Sequence, residues 1–216
     1  YVLGFGFIPA VFFGQVELSG ELARVPSTAT LVTSMFSHGG LMHLVGNMWF
    51  LWLYGDNVED AMGRFRYLLF YLVCGCVGTL AHAALDPASR MPLVGASGAI
   101  SGVIAAYLLI WPRANMRVFY WFFIFIGTIS VPAFVVLGLW IVEQLFALPA
   151  AMQAQGGIAI VAHLGGFASG LALTPFLKRR GVPLFQSPHS AAFAHSRTRT
   201  NRRRGGSVPK VRGKRD

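Results

Sequence analysis

Five apolar stretches, near Met42–Tyr54, Tyr67–Leu85, Val94–Trp111, Ser130–Leu148 and Gly157–Leu177, leave this chain one class of fold. A hydrocarbon core of about 30 Å is crossed by roughly 20 apolar residues in a helix, because every backbone polar group must be satisfied internally there. The composition agrees, with 55% hydrophobic and only 12% charged residues over 216 positions, outside the range of soluble domains. The expectation is an all-α, polytopic integral membrane protein. The first and third stretches are short or lean on small-residue flanks, the pattern of helices buried around a site rather than facing lipid. Tyr1–Phe13 is apolar but too short to span, and Pro9 stands where a helix would end. It reads as the tail of a truncated first helix, giving six helices of which five are complete here. It lacks the basic start and small-residue cleavage site of a signal peptide, so the chain is expected to begin inside a longer protein.

Charge orients the bundle, since Lys and Arg in short loops stay on the cytoplasmic side. Arg64 and Arg66 follow the first stretch, Arg113 and Arg117 the third, and Lys178, Arg179 and Arg180 the last, while only Arg24 and Arg90 fall opposite. The Gly14–Thr33, Asp86–Leu93 and Pro149–Gly156 loops are therefore expected outside and the C-terminus in the cytoplasm. The alternation divides the chain into a transmembrane domain, 1–177, and a basic tail, 178–216. That tail is rich in Arg, Ser, Gly and Pro, carries most of the net charge of +10, and has too few apolar residues to bury a core. Disorder, cytoplasmic retention and contact with anionic lipid are expected of it. Nucleic-acid binding is the less favoured reading, because no aromatic residues interleave its basic run. Cys74 and Cys76 lie two apart on one helix and point to different faces, so neither a disulfide between them nor a metal site is expected.

The chemistry sits at the outer ends of two helices. Ser97 lies in Gly95-Ala96-Ser97-Gly98 and His163 in Ala162-His163-Leu164-Gly165-Gly166, each a few residues inside a helix entered from outside. At 1.5 Å per residue, both groups fall on the order of 5–10 Å below that surface. A serine hydroxyl becomes a nucleophile when a base takes its proton, and histidine is the commonest base. Bringing the two helices that close requires small residues at the contact. Ser97, Ser101 and Ala105, with Gly98 and Gly102, repeat every four residues on one helix; Ala162, Gly166 and Gly170 do so on the other. A third element, His38-Gly39-Gly40-Leu41-Met42-His43-Leu44-Val45-Gly46-Asn47, puts His43 and Asn47 on one helical face. Polar side chains at membrane depth are costly and face a cavity or a partner, and this pair is suited to donating hydrogen bonds to an oxyanion.

On His38-x4-His43-x3-Asn47, Tyr54–Gly63, Gly95-Ala96-Ser97-Gly98 and Ala162–Gly166 with Gly170, the chain resembles the rhomboid intramembrane serine proteases over about residues 1–177. The resemblance implies a six-helix bundle in which Ser97 is the nucleophile and His163 the general base, with no acidic third member and no cofactor. It also implies an oxyanion hole formed by His43, Asn47 and the backbone N–H of Ser97. The substrates it implies are transmembrane helices of other proteins, single-pass or multi-pass, cut near their outer ends. A bacterial cytoplasmic membrane is the expected location, with the site facing outside. The alternative is a non-proteolytic relative that binds transmembrane clients.

Two features depart from the family pattern. Ser101 stands where members often place an aromatic ring against the histidine, which leaves the orientation of His163 to other groups. Glu143, inside Ser130–Leu148, either reaches the membrane interface or hydrogen-bonds the Asn/His cluster, the interface being favoured. Ser34, Ser37 and His38 are expected to make the entrance to the site wet, and the Gly14–Thr33 loop to gate or brace it. A transporter would call for inverted repeats, and none is evident in the sequence. A soluble serine hydrolase would need Gly two residues after the serine, where this chain has Ala99.

Overall fold

The computed structural model describes residues 1–153 and 158–187. Two single-turn helices, α1 (Val2–Phe5) and α2 (Pro9–Phe12), precede a loop that ends in α3 (Thr30–Thr33) between two 3-10 turns. Two long helices follow, α4 (Leu41–Met62) and α5 (Arg64–Leu85). After the short α6 (Ser97–Ile110) come the hairpin strands β1 (Asn115–Phe122) and β2 (Phe125–Pro132), then α7 (Ala133–Gln153) and α8 (Ile158–Leu177).

Among the described residues, three helices are long and apolar enough to cross a membrane: Arg64–Leu85, Ala133–Ala150 and Ile160–Leu177. Helix α4 has 22 residues, well past the Met42–Tyr54 stretch that hydropathy marks, because it runs on through the polar Gly55–Met62 segment. It stops at Gly63, whose φ of +88° a side-chain-bearing residue would rarely adopt. Helix α6, with 14 residues, reaches only about 21 Å. It is enclosed by α4, α5, α7 and α8, and Gly98 through Tyr107 are buried without a break. The helices α4, α6 and α8 run parallel, and their far ends meet: Arg179 N–H donates to Ala61 O and Gln186 N–H to Ile110 O. Counted from those ends, the short α6 begins about 9 Å below the start of α8 and about 12 Å below that of α4. Ser97 is therefore sunk within the bundle.

Glycine sets the spacing at the centre. A Cβ at Gly166 would overlap the carbonyl oxygen of Gly98, and one at Gly170 would stand 2.6 Å from Gly102 Cα. A Cβ at Gly102 would lie 2.6 Å from Cys74 Sγ on α5 and 3.1 Å from Gly166 O on α8. The α6 and α8 backbones touch along the small-residue stripes, with no side chain between them.

The chain differs from the sequence-based expectation in four further places. Tyr1–Phe13 is two separate helical turns, not one helical tail: Gly6 is extended and Pro9 opens the second turn. Phe7 pairs with Leu93 as a β-bridge, and Ala10 N–H donates to Ser89 O, so the segment braces the Asp86–Leu93 loop. Residues 115–132 form an antiparallel hairpin, so α7 begins at Ala133 instead of Ser130. Its aromatic and β-branched residues suit strands, and its tip, Phe122–Phe125, is exposed. Helix α7 also continues through Pro149 to Gln153, into the expected Pro149–Gly156 loop, of which residues 154–156 are outside those described. Beyond α8, residues 178–187 fold back on the bundle: Phe185 N–H donates to Leu109 O, and Trp111 Nε1–H to Gln186 Oε1 at 3.1 Å. The rest of the expected tail, 188–216, lies outside the described residues.

Candidate functional site

Each polar group of interest is set by its place on a helix. Ser97 is the first residue of α6, entered through Gly95, whose φ of +118° turns the chain inward, and Ala96. Gly95 N–H donates to Ser34 O at 2.9 Å, tying that turn to the α3 region. His163 lies five residues inside α8 and Asn47 six inside α4, about 8 and 9 Å along their axes. These depths lie within about 3 Å of the sunken start of α6.

The side chains converge on one cavity of about 330 Å³, lined among others by His43, Asn47, Ser97, Ser101, Trp140 and His163. Its remaining walls are apolar, from Met42, Phe50, Ile100 and Ile104. At the Ser97 end, His43 and Asn47 crowd over Gly95: a Cβ there would stand 2.8 Å from His43 Nε2 and 3.7 Å from Asn47 Nδ2. Glycine at that position admits both side chains beside the turn into Ser97.

The hydrogen bonds assign donors. Gly39 N–H donates to His43 Nδ1 at 3.3 Å, so in the neutral ring the proton sits on Nε2, the nitrogen beside Gly95. Asn47 Nδ2 donates one of its two protons to His43 O at 2.9 Å and keeps the second. At the start of α6 the first N–H groups have no partner within the helix and carry the positive end of its dipole. The cavity thus offers donors of three kinds beside the Ser97 hydroxyl.

His163 is held from α7. Its Nδ1 lies 2.8 Å from Gln144 Oε1, and Gln144 Nε2 donates to Glu143 Oε2 at 3.1 Å. Gln144 is buried, whereas Glu143 is exposed. Trp140, one turn before Gln144, stands with its ring centroid 6.2 Å from the imidazole at an interplanar angle of 38°. Ser101 takes no part in holding His163 through its hydroxyl, which donates to Ser97 O at 2.7 Å along its own helix. The sequence reading missed Gln144 and Trp140. Their spacing of four, with Gln144 interrupting an apolar run, was the available signal.

The expected wet entrance is corrected. Ser34, Ser37 and His38 do not line the cavity. Ser34 and Ser37 are buried, and Ser37 Oγ donates back to Thr33 O at 3.1 Å. His38 faces a separate apolar groove with Met48, Leu51 and Tyr67. Glu143 meets the Asn/His cluster only through Gln144. Among the other acids of interest, Glu59 stands 3.6 Å from Arg64 at the far end of α4, with Asp56 and Asp60 on the same last turns. Cys74 and Cys76 are free thiols.

Comparison with known proteins places this architecture. The model of the Rhomboid domain matches residues 26–180. The rhomboid protease GluP of Bacillus subtilis is 38% identical over 89 residues, 41% of this chain and 17% of that protein. Rhomboid-like protein 11, chloroplastic, of Arabidopsis thaliana is 27% identical over 167 residues, 71% of this chain and 54% of the relative. Inactive rhomboid protein 1 of Drosophila melanogaster is 36% identical over 101 residues, 46% of this chain and 6% of the relative. The chain spans at most about half the length of these relatives. A domain match over most of the sequence, on a bundle of membrane-spanning helices, makes this chain a member of the rhomboid family.

Proposed function

We propose that the chain is an intramembrane serine endopeptidase that cuts transmembrane helices of other membrane proteins near their outer ends. The observation that carries this reading is the single cavity into which Ser97, His163, His43 and Asn47 all open. A substrate helix unwinds locally, exposing a peptide bond that its own hydrogen bonds otherwise protect. Ser97 Oγ attacks the carbonyl carbon while His163 Nε2 takes the hydroxyl proton. The developing oxyanion accepts from His43 Nε2–H, the second Asn47 amide proton and Ser97 N–H. Collapse of the tetrahedral species breaks the C–N bond, and His163 returns the proton to the leaving amine. Water then attacks the acyl-enzyme by the same route and frees the carboxylate product. Glycines 98, 102, 166 and 170 serve this chemistry by letting α6 and α8 approach closely enough for the dyad, and Gly95 by admitting His43 beside the turn into Ser97.

The wider setting belongs to the same proposal. Residues 1–177 are the catalytic membrane domain and 178–216 a basic cytoplasmic tail with affinity for anionic lipid. The membrane is a bacterial cytoplasmic membrane with the cavity toward the outside. A non-proteolytic binder of transmembrane clients is the second reading, favoured by the similarity to an inactive rhomboid protein.

Reconstitution in liposomes with a model transmembrane substrate separates the two. Cut product that disappears in Ser97→Ala supports the protease. Substrate that co-purifies uncut with both forms overturns it in favour of the binder.

A further inference from the structure

The groups around His163 leave only one arrangement of protons. The Glu143 carboxylate can only accept, so the Gln144 amide must present its NH2 group to it and its Oε1 to His163. Oε1 is itself an acceptor, and at 2.8 Å from Nδ1 it requires the imidazole proton on Nδ1. The neutral ring is thereby left with its lone pair on Nε2, the nitrogen that a serine-activating base must use. Gln144 is 7% exposed and Trp140 presents a ring on the same face of α7 one turn earlier, so the contact is packed as well as bonded.

Ser101 shows why this partner is needed. The α6 residue one turn after Ser97 is a small hydroxyl already spent on Ser97 O, so α6 supplies no ring to hold the imidazole. The support comes from α7, the least enclosed of the three spanning helices. The bond bridges two helices, so it exists only while α7 is seated against α8.

We propose that Gln144 is the positioning residue for His163: its amide, oriented by Glu143, fixes the Nδ1–H tautomer and aims Nε2 at Ser97. The proposal rests on the protease reading and adds a third member to the dyad, neutral and carried on a different helix. It commits to a role through His163, with no contact between Gln144 and substrate.

The test uses the full chain and two variants, Gln144→Leu, which keeps the volume but removes the acceptor, and Gln144→Glu, which keeps an acceptor oxygen. With a model transmembrane substrate in liposomes, Gln144→Leu is expected to lower kcat about tenfold to a hundredfold with KM within about twofold, and Gln144→Glu to recover most of that loss. Independently of turnover, 15N chemical shifts of His163 in a Ser97→Ala background are expected to report Nδ1–H in the parent and Gln144→Glu, and a mixed or reversed tautomer in Gln144→Leu. Parent cleavage with an unchanged kcat and an unchanged tautomer in Gln144→Leu overturns the Gln144 proposal and leaves the protease standing. Absence of cleavage by the parent sinks the protease reading, and the 15N shifts then still decide whether Gln144 sets the imidazole. A loss in Gln144→Leu that Gln144→Glu does not recover, with the tautomer unchanged in both, reveals a packing role and overturns the proposal.

Discussion

At the residue scale the site is a matter of which protons are already committed. His43 receives at Nδ1 from Gly39 and so donates from Nε2, and Asn47 spends one amide proton on His43 O, leaving the other for the cavity. Donors preorganised in this way stabilise charge that appears only in the transition state, so losing one lowers kcat far more than it weakens binding. His43→Ala and Asn47→Ala are each expected to reduce kcat by about a hundredfold to a thousandfold with KM little changed. Steady-state cleavage in liposomes checks this, and an equal loss in kcat and in substrate affinity would assign both residues to structure. His163→Ala is expected to leave no measurable cleavage while the protein still unfolds cooperatively, and retained turnover would sink the dyad. That His43, Asn47, Ser97 and His163 line one cavity was legible in the sequence, because each is a polar interruption in an apolar run within three residues of a glycine. Gln144 was not. Its neighbour Glu143 drew attention as a charge, and its partner lies 19 residues away on another helix, a distance no local periodicity reports.

At the element scale the deciding contact is between α6 and α8. The spacing of four among Gly98, Gly102, Gly166 and Gly170 correctly announced two smooth stripes, and the backbones meet along them. A methyl at Gly166 would overlap Gly98 O, which is backbone and cannot swing aside, so Gly166→Ala must push the helices apart. Overpacking of this kind costs about 1–3 kcal/mol, and here it also widens the gap between Ser97 and His163. Gly166→Ala is expected to lower the thermal midpoint in detergent and to lower cleavage with it. Gly138→Ala on α7, where a Cβ meets nothing within 4 Å, is the control. It should match or exceed the parent's stability, since alanine is the better helix former by about 1 kcal/mol. The hairpin was the element the sequence concealed. Its tip turns through Phe123, with φ of 52°, where glycine or asparagine would have signalled a turn, and its run of aromatics reads as apolar without a period. Helix α4 was underestimated for the opposite reason. Hydropathy falls after Tyr54, yet backbone hydrogen bonding carries the helix on to Gly63.

At the scale of the whole molecule, the question is which side of the membrane the cavity opens toward. Three parallel helices, α4, α6 and α8, start at the cavity end and finish together at the other, where Arg64, Arg66 and Arg179 gather with Glu59 and Asp60 around one open surface. Arg24 and Arg90 stand at the cavity end, Arg24 beside Gly4 and Arg90 in the loop that the N-terminal segment braces. Retention of Lys and Arg in short loops on the cytoplasmic side is what supports the proposed orientation, with the crowded end inside and the cavity outside. Single cysteines placed in a background lacking Cys74 and Cys76 read this directly. Gly20→Cys, at a loop glycine with open space around it, and Gly181→Cys, just beyond α8 and equally open, disturb no packed neighbour. In intact bacterial cells a membrane-impermeant maleimide is expected to label position 20 and to spare position 181, which should react only after the membrane is opened. The reverse pattern would turn the cavity toward the cytoplasm. Ser97 would then meet only the inner ends of transmembrane segments, and the proposed cut near their outer ends would be physically out of reach.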